Sequence, residues 1–394
     1  MMRSLLRCLA PLASLLLLFA ALLMAGEPAA AQTPSAVSGT LFGFPGATSN
    51  PAAAVSAGLA LSERWLGDDP FDNPAASPGF AAQASGALLH TSRQDLRADN
   101  RNFDETPAFF GASGFVVGLP PRGRFGLALY GCQPVLEKES SAFSRGNGTP
   151  NPANPPATIE ADETAHELRT GLAISAAVGT GRIGAAVEWT RRDDHYLVTE
   201  QSGSPTAGTR QLDFTGDAIG YQVGATLDRG DSSEGGLKLG IGVRYLAPLS
   251  VDGPVAEDLL AGAVDSTVSA ERESGWQLGT SARYAASPSV RVLASLGGRT
   301  AQTWQGFGVD AGREWEWKLG LEYHDARDPW TLRLGLGQEH QADVSVTRAD
   351  DLGLGFGWRF SWLASDVGLV HRSLTRPSSP RSYEDRIVLT LRTQ

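Results

Sequence analysis

From about residue 83 onward, apolar stretches alternate greasy residues with glycine or charge at a period of two, the repeat of a β-strand whose faces meet different surroundings. Leu237, Leu239, Ile241, Val243 and Tyr245 interleave with Lys238, Gly240, Gly242 and Arg244. Ile219, Tyr221, Val223, Ala225 and Leu227 do so with Gly220, Gln222, Gly224 and Thr226, and Trp315 to Tyr323 repeat the scheme with Glu316, Lys318, Gly320 and Glu322. One face suits lipid and the other water, as in a strand of a membrane-spanning β-barrel. A globular sheet produces one such strand readily but rarely a procession.

The pattern predicts about fourteen strands, an even number as in bacterial single-chain barrels. They begin near Gln83, Ala108, Arg122, Glu167, Gly181, Asp217, Gly236, Gly275, Ser289, Glu314, Pro329, Asp351, Trp362 and Asp385. Phe109, Phe110, Phe115 and Val116 do not sort onto one face, so the first two strands are the least regular. The connections alternate in length. Short turns fall at Pro120-Pro121, 179–181, 228–234, 286–288, 324–328 and Ser361, and long polar stretches near 94–107, 132–163, 191–212, 248–270, 300–312, 339–350 and 372–383. Outer-membrane barrels put short turns in the periplasm and long loops outside. Trp189, Tyr245, Trp276, Tyr284, Trp315, Tyr323, Trp330, Trp358, Phe360 and Trp362 sit near strand ends, where amphipathic rings form girdles at the headgroup level.

With the greasy face outward, Arg169, Glu188, Lys238, Arg244, Arg283, Arg291, Arg299, Glu316, Lys318, Glu322, Arg333, Arg359, Arg386 and Arg392 point into the lumen. Mixed signs there imply pairing, since an unpaired buried charge is costly. Inward glycines such as Gly240, Gly242, Gly335, Gly337, Gly355 and Gly357 leave room for inserted polypeptide or a ligand. On this reading Ile241→Arg is damaging, whereas Gly242→Ser, on the lumen side, is mild.

Upstream, residues 32–82 are rich in Ala, Gly, Ser and Pro and lack the alternation. One helix is expected there, with Asn50 as N-cap, Pro51 in its first turn, Gly67 as its stop, and Val55, Leu59 and Trp65 as its packing face. Residues 1–31 read as a cleaved secretory signal: Arg3 and Arg7, an apolar run from Leu9 to Met24, then Ala29-Ala30-Ala31. Cys8 leaves with it, and Cys132 is then the sole cysteine, so no intrachain disulfide framework exists. The chain has 394 residues and a net charge of -10, which argues against nucleic acid as a partner. Beyond the signal no apolar run approaches the ~20 residues of a spanning helix.

No catalytic signature accompanies this architecture. The sequence has no Gly-x-Ser-x-Gly elbow, His-Glu-x-x-His, Walker loop or Cys cluster, and Gly353-x-Gly355-x-Gly357 is strand glycine without a following helix. His90, His166, His195, His324, His340 and His371 are scattered, and Asp193-Asp194 and Asp350-Asp351 read as solvated loop charge before Ca²⁺ ligands. No enzyme activity, cofactor or metal is expected.

Ahead of the strands, Gly67-Asp68-Asp69-Pro70 is followed by Asn73-Pro74-Ala75-Ala76. This resembles the N-terminal hatch of the FadL/TodX family of outer-membrane transporters, in which an Asp-Asp stretch precedes an Asn-Pro-Ala motif. Here the spacing between the two is compressed. The resemblance implies an all-β transmembrane barrel whose lumen, in residues 83–394, is plugged by a hatch of short helix and loops in residues 32–82. It implies passive passage of hydrophobic molecules, such as long-chain fatty acids or aromatic hydrocarbons, across the outer membrane of a Gram-negative cell. Its partners would be outer-membrane lipid, the barrel-assembly machinery and a hydrophobic ligand. The alternative expectation is a non-transport, partner-binding barrel with a permanently plugged lumen.

Overall fold

The computed structural model describes residues 58–60, 62–66, 69–75, 82–93, 101–102, 106–122, 124–145, 157–202, 207–230, 235–259, 262–305, 309–311, 313–324, 329–341, 348–376 and 379–393. The expected signal segment 1–31 and the first part of the expected helix, 50–57, lie outside the described residues. From 59 to 66 the chain makes tight turns, with Ser62 N donating to Leu59 O and Leu66 N to Glu63 O.

Among the described residues, nineteen strands form one sheet. The first are β1 (Ala82–Arg93), β2 (Arg101–Asn102), β3 (Thr106–Arg122), β4 (Phe125–Arg145), β5 (Ala157–Val178), β6 (Gly181–Ser202) and β7 (Ala207–Arg229). Next come β8 (Leu237–Leu246), β9 (Leu249–Leu259), β10 (Gly262–Arg272), β11 (Gly275–Ala285), β12 (Val290–Arg299), β13 (Gln302–Gln305) and β14 (Val309–Ala311). The last are β15 (Glu314–His324), β16 (Trp330–Gln341), β17 (Arg348–Arg359), β18 (Leu363–Arg376) and β19 (Ser379–Thr393).

Antiparallel pairing runs from β1 through β3, β4, β5, β6, β7 and β8 to β11. It continues through β12, β15, β16, β17 and β18 to β19, and β19 pairs back onto β1. A sheet closed in this way leaves no edge, so each ring strand has its backbone groups met from both sides. Short turns need special residues: Gly179 takes φ 59°, which lets Val178 and Gly181 face each other across a two-residue connection.

Several stretches expected as long loops are strand instead. β4 and β5 remain paired out to Arg145 and Ala157, and β6 and β7 out to Gln201 and Ala207. The β9–β10 hairpin extends this wall by pairing with β7 at Thr209↔Asp258, and the short β13–β14 hairpin meets β10 at Arg272↔Trp304. Alternation fades there because alternation records lipid on one side, whereas the hydrogen-bonded ladder needs none. The uneven start of the barrel also has a cause. β1 and β3 shift register at Ser85/Gly86 and Leu89/Thr91, which turns Phe115 outward and Val116 inward. β4 and β5 shift between Cys132 and Val135, around Pro134, which has no N–H for the ladder.

The two faces differ as lipid and lumen require. Leu172, Ile174, Val187, Ile219, Val223, Leu334 and Leu354 are exposed although apolar, and Ile219 reaches 56% exposure. So continuous an apolar belt is far larger than a soluble surface carries. Rings border it: Tyr245 and Trp276 lie 5.0 Å apart, Tyr323 and Trp330 5.5 Å, and Trp362 is 67% exposed. Inward positions hold mostly charge, glycine and small residues, with larger side chains such as Tyr130 and Leu293 where the segment before β1 packs. Ile241→Arg, in the belt, is expected to cost roughly 2–4 kcal/mol at mid-bilayer. Unfolding from phospholipid vesicles in guanidinium measures it, and an unchanged midpoint would remove Ile241 from the lipid face.

Candidate functional site: the hatch on the inner wall

The described residues between 58 and 75 follow the inner wall, and at their closest approaches to it the wall is glycine. A β-carbon on Gly355 of β17 would meet Gly58, one on Gly335 of β16 would meet Leu59 and Ala60, and one on Gly320 of β15 would meet Ser62. On Gly279 of β11 and Gly242 of β8 it would strike the Trp65 ring, and on Gly240 the Trp65 carbonyl. On Gly224 of β7 it would meet Asn73, and on Gly184 of β6 the Pro74 carbonyl. The segment therefore visits neighbouring strands in order around the ring. The glycines are also neighbours of one another: Gly184, Gly224, Gly242, Gly279 and Gly297 oppose each other across β6, β7, β8, β11 and β12. Gly320, Gly335 and Gly353 do the same across β15, β16 and β17. The turn conformation of the hatch is fixed in part by Ala60, whose φ of 48° lies in the left-handed region and ends any helix there.

Asn73 anchors the hatch. Its amide nitrogen donates to Trp65 O within the hatch at 2.7 Å, and to Ile241 O at 3.2 Å and Ala225 O at 3.3 Å in the wall. Its side-chain oxygen accepts from Ala75 N at 3.0 Å, closing an Asx-turn over Pro74. Asp69 makes the matching turn upstream, accepting from Phe71 N at 2.8 Å. Trp65 N donates to Ser281 Oγ on β11, and Gln222 and Arg244 donate to the carbonyls of Asp72 and Phe71.

Arg64 joins hatch to wall electrostatically. It is buried between Asp72 at 2.9 Å and Glu316 of β15 at 3.1 Å. Burial opposes its charge, but those two carboxylates outweigh burial and hold its pKa above the ordinary guanidinium value. Glu316 belongs to a wider network in which Lys318 meets Glu339 at 2.8 Å and Asp351 at 2.5 Å, while Arg372 meets Glu339. Nearer the short turns, Arg333 pairs with Glu322 at 2.9 Å and Asp366 at 2.8 Å, Arg291 with Glu322, and Arg392 with Asp366. On the long-connection side, Glu167 receives Arg169 at 2.7 Å and Arg272 at 3.1 Å, and Arg192 pairs with Asp194 at 2.7 Å. Trp304, fully buried, lies under the guanidinium groups of Arg192 and Arg272.

Phe71 occupies a different environment. Its ring sits among buried Val116, Ala128, Tyr130, Cys132, Ala173 and Ala186 on β3 to β6. Tyr130 meets it edge-on with centroids 6.0 Å apart, and the Arg244 guanidinium stands 4.4 Å over its ring. Tyr130 donates to Glu188 at 2.8 Å and Arg244 pairs with Glu188 at 3.0 Å, so the charges at the rim of this recess are paired with one another.

Of the residues singled out in the sequence, Asp69, Asn73, Pro74 and Ala75 all lie in the hatch, and Asp68 falls outside the described residues. Arg169, Glu188, Arg244, Glu316, Lys318 and Arg333 are buried, Glu322 is half-buried, and all seven carry the ion pairs given above. Lys238, Arg283 and Arg291 are half-buried, and Arg359 is exposed beside the turn at Ser361. Glu167, Arg192, Arg272, Glu339, Asp366 and Arg372 complete these networks without having been picked out, and Asp194 and Asp351, expected as solvated loop charge, are instead buried in β6 and β17, where inward orientation pairs them with Arg192 and Lys318. Arg192 and Asp194 continue the parity of Glu188 past Trp189, and that continuation was their signal. The hatch residues Arg64 and Phe71 carried none.

The sequence matches no family model and no curated protein. Solved structures match in fold. A FadL homologue of Pseudomonas aeruginosa superposes with a TM-score of 0.60 at 14% identity, over 86% of this chain and 97% of that one. The toluene transporter TbuX of Ralstonia pickettii gives 0.58 at 14% identity, over 88% and 99%. The toluene transporter TodX of Pseudomonas putida gives 0.57 at 12% identity, over 86% and 96%. The chain has the FadL-like barrel fold.

Two substitutions probe the hatch contact. Gly242→Ser, read as mild from the alternation alone, places an atom where the Trp65 ring lies, so it is expected to cost about 1–3 kcal/mol by overpacking. Arg64→Met strands Asp72 and Glu316 and is expected to cost about 3–5 kcal/mol. Both are read from guanidinium midpoints, and chymotrypsin cleavage within residues 58–75, which hold Trp65 and Phe71, should quicken in both.

Proposed function

We propose that this chain is an outer-membrane channel of the FadL/TodX kind, through which small hydrophobic molecules pass without chemical conversion. On this reading the fourteen strands of the closed ring span the membrane, residues 32–82 form the hatch, and 83–394 form the barrel. The observation that carries it is a hatch seated on glycine rows inside a barrel whose fold is that of proteins named as toluene transporters and a FadL homologue. The exposed apolar belt supports the outer membrane as location, with its lipid and the barrel-assembly machinery as partners. The polar wall network holds the hatch in register, and the apolar recess on β3 to β6 supplies the surface a hydrophobic solute needs.

A second reading, a permanently plugged partner-binding barrel, draws on the density of buried ion pairs, which lock Arg64 to β15 and tie β15 to β18. Uptake separates the two. Gram-negative cells with an intact lipopolysaccharide leaflet, expressing the chain, should take up ring-labelled toluene or labelled decanoate faster than cells without it. Deleting residues 32–82 should raise permeability further. Equal uptake with and without a folded barrel overturns the channel and favours the plugged one.

A further inference from the structure

We infer that the recess holding Phe71 is a binding site for the single aromatic ring of a solute, and that Phe71 is its resident competitor. The inference rests on the channel reading and adds to it a place, a ligand class and an inhibitory side chain. Among the described residues, the hatch meets the wall elsewhere through glycine, polar and charged groups and through Leu59 and Leu66 against Leu293, whereas here it inserts an aromatic ring among small apolar side chains. The floor is built from small residues, Ala128, Ala173, Ala186, Val116 and Cys132, so it is concave where larger side chains would fill it. Its polar rim selects for aromaticity. Arg244 presents a cation to the ring face and Tyr130 an edge, contacts that an aromatic ring rewards and an alkyl chain does not.

The two turns of the hatch motif explain how Phe71 is presented. Asp69 closes a turn onto the Phe71 amide and Asn73 closes the next, so the ring is held at the crest between them. Arg244 donates to the Phe71 carbonyl as well as covering the ring, so lifting Phe71 breaks a contact at both backbone and side chain. A solute ring of the same size then restores the contacts that the phenyl leaves. While Phe71 is docked, the site is closed, and the apparent affinity for solute is lowered by the fraction of time it is open.

The test uses 4-fluorotoluene as probe and the purified full-length barrel in micelles, with binding read from the ¹⁹F saturation curve against protein-free micelles. Phe71→Ala should lower the apparent Kd by about tenfold or more, because the competitor is gone. Adding Ala128→Trp to Phe71→Ala should abolish that gain by filling the floor, and fluorohexane should show no comparable gain in Phe71→Ala. A Phe71→Ala barrel that keeps its heat-modifiable mobility but binds within about twofold of the parent overturns the inference. Should Phe71→Ala fail to fold, 4-fluorophenylalanine at position 71 in the otherwise unchanged chain gives the answer. Its resonance should move on adding toluene, and a static resonance at saturating toluene overturns the site. Toluene uptake by cells with no effect of Phe71→Ala on binding removes the competitor and leaves the channel, while tighter binding without uptake removes the channel and leaves the pocket.

Discussion

Close approach between two backbones governs this molecule. A barrel wall normally presents side chains to its lumen, and a second segment must lie beyond them. Here the inward positions along two cross-strand rows are glycine, and Trp65, Asn73, Pro74, Leu59 and Ala60 take the space that β-carbons would occupy. Once the segment lies that close, its carbonyls come within reach of Gln222 and Arg244, and wall carbonyls come within reach of Asn73. The glycine rows cost strand propensity. Ring closure offsets that cost, since each glycine has a hydrogen-bonded strand on both sides.

The buried charges follow from the same arrangement. A lumen narrowed by the hatch leaves little water for Arg64, Lys318, Arg333 or Glu339, so each must find its counter-charge in the protein. They do so across strands rather than along them: Lys318 of β15 reaches Glu339 of β16 and Asp351 of β17, and Arg372 of β18 reaches back to Glu339. Such pairs tie together strands that the backbone ladder joins only to immediate neighbours. Charge also lines β5 and β6, where Glu167, Arg169, Glu188, Arg192 and Asp194 are paired, whereas the patch of β3 to β6 that receives Phe71 is built of Val116, Ala128, Cys132, Ala173 and Ala186. A hydrophobic solute and a dense ionic network are therefore compatible in one lumen, because these charges are paired and the apolar side chains form a patch of their own.

Much of this was legible as alternation. Leu237 to Tyr245 announces both faces of β8 without any structure, and the same rule assigns Glu188, Arg244 and Lys318 to one side. Where the rule depends on lipid it stops with the lipid: β6 continues from Thr190 to Ser202 with polar residues on both faces, so its outer half reads as loop. Gly242 shows a subtler limit. Alternation tells that it points inward but not what lies against it, and the Trp65 ring arrives from nearly two hundred residues upstream, beyond the reach of any local pattern. The Asn-Pro-Ala tripeptide was visible, yet its role in clasping Trp65 O and two wall strands depends on distances that only the closed ring fixes. Phe71 was invisible because a lone aromatic in an Ala/Pro-rich stretch has no period to belong to.

The hatch contacts also impose an order of events on the chain's own assembly. Asn73 needs β7 and β8 already paired before its amide has carbonyls to span, and Arg64 needs β15 before it finds Glu316. These partners lie 152, 168 and 252 residues downstream. The segment made first can thus settle only late, after most of the wall stands, and the seam between β1 and β19 joins strands from opposite ends of the barrel sequence. Contacts of such long range form slowly. The hatch therefore docks after the strands it binds and is enclosed as the seam shuts, which makes its burial a record of how the barrel was sewn.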